Sequence, residues 1–130
     1  MNKTIGLVLV LALMAGACGD DDAGAIDNCD DAADATIALV QDVITELEAM
    51  SPSDFGRMTQ EGTADFPAFV AIEARGVEIG AKVEALACTD IDAMVAERAD
   101  QLQGDPTNGF TQLIIDGTRN GEDVLGRLFR

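Results

Sequence analysis

Between residues 30 and 50, apolar side chains recur at Ala33, Ile37, Val40, Ile44 and Leu47. Steps of three and four residues place them on one stripe of an α-helix, and Cys29, four residues before Ala33, extends it. Asp30, Asp31 and Asp34 fall in the first turns, where negative charge suits the helix dipole, and Ser51-Pro52 closes the element. Ser53 or Asp54 is placed to cap a short turn through Phe55, Gly56, Arg57 and Met58, with a loop over 60–63 hinged at Gly62. A second long helix is expected from Thr63 or Asp65, with Pro67 in its first turn. Its stripe is Phe66, Phe69, Ile72, Gly76, Ile79, Val83 and Leu86. Gly76 and Gly80 each lower helix propensity by about 1 kcal/mol, so they serve either the close approach of a neighbouring helix or a kink.

Thr89-Asp90-Ile91-Asp92 resembles a capping box and opens a third helix to about Gln103, with Ile91, Met94, Val95, Arg98 and Leu102 on one side. Gly104 reads as its C-cap, and Pro106 blocks continuation. A fourth helix is expected over 110–116, with Phe110, Leu113, Ile114 and Ile115 inward and 117–121 breaking it. The tail carries Val124, Leu125, Leu128 and Phe129, enough for a short amphipathic turn or two. No strand pattern competes with these periodicities. The expectation is an all-α fold, a small bundle of about four helices.

The start of the chain follows different rules. Lys3 precedes an uncharged apolar run over 5–17, and Asp20, Asp21 and Asp22 come directly after it. A short basic region, an apolar core and then small residues have the layout of an export signal, and the run falls short of the roughly 20 residues that span a bilayer. Ala15-Gly16-Ala17-Cys18 resembles the lipobox of bacterial lipoproteins, with Ala15 where Leu is usual. The resemblance covers only the signal and the first mature residues. It implies cleavage before Cys18 and lipid on that cysteine, hence attachment to a membrane of the cell envelope. Gly19, rather than Asp, follows the cysteine. The domain organisation expected is a signal over 1–17, a lipidated acidic tether over 18–28 and one helical domain over 29–130.

With Cys18 lipidated, Cys29 and Cys88 remain as an even pair in an oxidising compartment, and a disulfide between them is expected. If the two long helices pack antiparallel, those cysteines lie at adjacent ends.

Charge narrows the partners. Without the signal, seven Lys and Arg face 24 Asp and Glu. Such a surface repels nucleic acid and anionic headgroups; it favours solubility, cationic ligands or divalent ions. The chain contains no His, Tyr or Trp, so histidine-assisted triads, histidine-ligated metals and aromatic cages of Tyr or Trp are excluded. No phosphate-binding glycine loop is present, and no cofactor is implied. An acid-pair hydrolase needs a buried carboxylate in a cleft. Asp116, Thr118 and Asn120 partly match a calcium loop, but its twelfth position is Arg127, where Glu is required. The alternative is a plain glycine-rich turn. The acids around 27–34 offer a second place for calcium, or simply helix capping. Phe66, Phe69 and Phe129 belong in the core or, where exposed, are natural anchors for a partner. Two function classes follow: a membrane-tethered interaction or structural module, and a small-ligand- or calcium-binding lipoprotein.

Overall fold

A computed structural model describes residues 25–128. The expected signal over 1–17, Cys18 and Phe129 lie outside the described residues. The fold is all-α. Six α-helices occur among the described residues: α1 Cys29–Ala49, α2 Pro52–Glu61, α3 Pro67–Ala85, α4 Ile91–Glu97, α5 Gly109–Arg119 and α6 Val124–Leu128, with a 3-10 turn over Ala99–Gln101.

The order of burial follows from α1, which carries two apolar stripes rather than one. Ala33, Ile37, Val40, Ile44 and Leu47 are buried, and so are Ala32, Leu39 and Val43. The two stripes adjoin, and an apolar face that wide packs against more than one neighbour. α3 covers one side of α1 with Phe69, Ile72 and Ile79, while Val95, Ala99, Leu102, Ile114 and Ile115 from α4, the 3-10 turn and α5 complete the core. α1 and α3 run antiparallel, since steps forward on one match steps back on the other. Cys29 pairs with Cys88, Leu39 approaches Gly76, and Asp42 bonds Arg75.

The Cys29–Cys88 disulfide joins the start of α1 to the segment after α3, with Cα atoms 5.7 Å apart. Reaching Cys88 requires a sharp turn out of α3. Ala87 adopts a left-handed φ of 54°, and the Cys88 amide donates back to the Val83 carbonyl. This helix-ending turn ordinarily uses glycine, because a Cβ there costs roughly 1 kcal/mol. Ala87→Gly is therefore expected to raise stability by up to about 1 kcal/mol, less the backbone entropy of the added glycine. Urea denaturation of the disulfide-intact protein measures it.

Several local expectations are corrected. Ser51, not Ser53 or Asp54, caps α2: its hydroxyl accepts from the Asp54 amide, and Pro52 occupies the first turn. α2 then runs a full ten residues, through Gln60 and Glu61 to Gly62. α3 begins at Pro67, and no side chain caps it. Asp90 precedes α4 without the side-chain bond of a capping box, and α4 gives way to the 3-10 turn well before Gln103. α5 continues through Gly117 and Thr118, both buried, and stops at Gly121, whose φ of 72° only glycine adopts without strain. Leu113 faces outward, 67% exposed, while Thr111 and Thr118 take the inward positions.

The fold also starts earlier than residue 29. Ile26 is buried against the core, and the Asn28 side chain caps α1 by accepting from the Asp31 amide.

Candidate interaction groove

α3 is unbroken across its two glycines. A Cβ added at Gly76 would meet Leu39 Cδ2 at 3.5 Å, an ordinary contact, and one added at Gly80 would meet nothing within 4 Å. Neither kinking nor close packing against α1 explains them. Instead they border an open cavity of about 400 Å³. Leu39 and Val40 of α1, Ile79 and Val83 of α3, Val95 of α4 and Leu125 of α6 line it. Glu73, Asp92, Glu122 and Asp123 stand among these apolar walls.

The fourth wall exists because the chain doubles back after α5. Beyond Gly121 the Glu122 amide donates to the Gly117 carbonyl, which reverses direction. Val124 then lies so close over Gly117 that a Cβ there would sit 2.8 Å from its Cγ2. α6 thereby lines the same cavity as α3 and α4 instead of running on from α5.

The exposed face of α3 continues the groove. Val77 is 71% exposed and Val70 44%, both apolar and both uncovered. Ala74 and Ala81 are exposed at positions between and beyond them. Single exposed apolar side chains are ordinary; a row of them bordering an apolar cavity marks a contact surface.

The other sequence-derived candidates have structural employment. Phe69 is core. Phe66 is half-buried, with the Arg57 guanidinium stacked 5.1 Å from its ring centre. Neither offers a free aromatic anchor. Asp116 and Thr118 lie on α5 rather than in a loop. The Thr118 hydroxyl donates to the Ile114 carbonyl, and Asp116 bonds Arg119. Asn120 follows the helix as its C-cap. The acids near residue 30 are occupied as well. Arg98 donates to Asp34 at 2.6 Å and to Asp30 at 2.7 Å, tying α4 to the start of α1. The hydrogen bonds to Asp34 first, then to Asp30, hold the guanidinium above its ordinary value, so Arg98 keeps its charge and both donors for the pair. No group of three or more Cys, Asp or Glu among the described residues is arranged to hold a metal ion. No carboxylate among them is buried, as an acid-pair hydrolase would require. No helix among them is long and apolar enough to cross a membrane.

A polar clamp on the far side of α1 secures the loop over 103–105. The Gln41 side chain both donates to the Gln103 carbonyl and accepts from its amide. Glu48 accepts from the Asp105 amide and the Thr111 hydroxyl. Asp105 in turn accepts from the Thr107 hydroxyl and then its amide, which hold its carboxyl below the ordinary 3.8. A depressed carboxylate contributes stability above its unfolded pKa and loses it as pH falls through the folded value. Thr107→Val is thus expected to lessen the stability lost between about pH 4 and pH 2, read by denaturation at each pH.

No family model, curated protein or solved structure matches the chain.

Proposed function

We propose that the chain is an exported lipoprotein, tethered by lipid on Cys18 to a membrane of the cell envelope, whose helical domain is an interaction module. The observation that carries the reading is the apolar groove between α3, α4 and α6, continuous with the uncovered Val70–Val77 face of α3. Apolar surface kept in water lowers solubility unless something covers it, and a highly charged chain had many polar alternatives for those positions.

The test is site-specific photo-cross-linking in the native cell. A cross-linker at Val77 is expected to give discrete adducts in the membrane fraction. One at Thr59, exposed on α2 and outside the groove, is expected to give none. Equal labelling from both sites, or from neither, removes the module. The address is tested separately: radiolabelled palmitate is expected on the wild-type chain and absent from Cys18→Ser.

A second reading, a small-ligand-binding lipoprotein, draws on the cavity volume, which lies within the few hundred Å³ typical of such sites. It requires that a ligand raise the melting temperature. Its calcium form has less support, and millimolar calcium is expected to leave the melting temperature unchanged.

A further inference from the structure

We propose that the partner is a basic amphipathic α-helix that lies along α3 and places bulky apolar side chains in the groove. This rests on the interaction-module reading and names the chemistry of what the module holds.

Spacing is the first argument. Val70, Ala74, Val77 and Ala81 are separated by four, three and four residues, the alternation that keeps one seam of a helix facing a second helix. They lie opposite Ile72 and Ile79, which face α1, so α3 offers one seam inward and another outward. Eleven residues of helix measure about 16 Å, so the outward seam extends along much of α3 rather than forming a spot. A small molecule filling the cavity would leave Val70 and Ala74 wet. A helix covers seam and cavity together.

Steric profile is the second. The seam alternates valine with alanine, and Gly80 lies between it and the cavity floor with open space where its Cβ would be. Small residues let a second backbone come close, and the cavity then receives the large side chains of the incoming helix. α3 supplies little volume of its own here, so the complementary helix must be bulky.

Charge is the third. Glu73 and Asp92 border the cavity, Glu78 and Glu84 flank the seam on α3, and the chain carries a formal net charge of −16. Lysine or arginine beside the apolar stripe of the partner finds these acids as its apolar residues are buried, and attraction also speeds the encounter. A second copy of the chain would instead bring the same acidic rim against itself.

The experiment uses the full-length exported chain carrying Cys18→Ser, so that it does not depend on the lipid. Three fluorescent peptides of about 14 residues, long enough at 1.5 Å per residue to cover the seam with a few residues to spare, are titrated by anisotropy. One has leucines at alternating steps of three and four with lysine flanks, one has the same composition scrambled, and one replaces lysine by glutamate. The amphipathic lysine peptide is expected to bind at least roughly tenfold tighter than the scrambled one, and the glutamate peptide not measurably. Gly80→Leu fills open space without touching the core, and is expected to keep the melting temperature at or above the wild-type value, because leucine favours the helix more than glycine, while weakening the lysine peptide by roughly tenfold or more. Glu73→Gln with Asp92→Asn is expected to reduce the salt dependence of binding.

Equal affinity for the scrambled peptide overturns the proposal, because charge alone would then explain binding. So does unchanged affinity in Gly80→Leu. Binding of dodecyltrimethylammonium in the groove without any peptide binding overturns it in favour of a small cationic amphiphile, and a dimer abolished by Gly80→Leu overturns it in favour of self-association. Peptides failing while Val77 still cross-links in cells refutes the helix and leaves the module; failure of both removes both.

Discussion

Replacing Cys29 and Cys88 together by serine is expected to lower stability by about 4 kcal/mol, the largest effect of any change considered for this chain. The bond closes a 59-residue separation that includes α1, α2 and all of α3. Without it the denatured chain gains the freedom to separate the two ends, and the native state gains nothing in return. For a domain near 100 residues, that corresponds to a melting temperature lower by about 20 °C. The fold should survive, since the antiparallel register of α1 and α3 is also set by their apolar stripes and by Arg75–Asp42. Helical circular dichroism at low temperature is therefore expected to be unchanged. Urea denaturation should show an earlier midpoint and a slightly steeper dependence, because the denatured ensemble expands. A loss under about 1 kcal/mol would mean that the denatured chain already holds the two helices together.

Gly104→Ala is expected to cost roughly 1–3 kcal/mol by overpacking, although Gly104 lies in a loop where such a change is usually harmless. The added Cβ would sit 2.2 Å from Thr111 Cγ2, with Ile44 Cγ2 and Glu48 Oε1 each at 3.1 Å. Thr111 cannot move aside: it is fully buried, and Glu48 holds its hydroxyl. The loop cannot lift either without breaking the bonds from Gln41 and Glu48 to its backbone. The diagnostic is the second mutation. Thr111→Ser keeps the hydroxyl and deletes the offending methyl, so the double variant should be more stable than the sum of the single effects. Strict additivity of the two would show that the destabilisation has another source.

Residue pattern made the long elements legible, and with them the main architectural fact. α1 was readable from its stripe and acidic first turn, α3 from its own stripe, and the disulfide from the two cysteines left at their ends. What escaped has physical reasons. The second stripe of α1, Ala32, Leu39 and Val43, follows the same period, but one stripe already satisfied the expectation of an amphipathic helix. In α5 the centre of the buried face is held by Thr111 and Thr118, whose hydroxyls have partners in Glu48 and the Ile114 carbonyl. Ile114 and Ile115 are buried as expected, but reading polarity alone left Thr111 and Thr118 out of the inward face and put Leu113 into it. Gly104 looked like a helix stop, when what it supplies is the space left by a missing side chain.

The groove was the least legible part. Its ingredients were visible as an unexplained pair of glycines and a tail of apolar residues. Yet it forms only because Gly117 and Gly121 turn the chain back so that α6 closes one side of the cavity, a tertiary event with no periodic signature. The acids that seemed candidates for calcium were readable as charges, but not as partners of Arg98, which comes from more than 60 residues further along the chain.

The burial of Ile26 has a consequence for where such a domain could work. With Cys18 held in a bilayer, only eight peptide steps separate the lipid from a side chain fixed in the core, and covalent geometry limits them to about 28 Å at full stretch. The domain would then patrol a thin layer above its membrane. Anything bound to the same membrane would meet it at a high effective concentration, so even a weak grip would suffice for partners in that layer and would go unnoticed by proteins free in the surrounding volume.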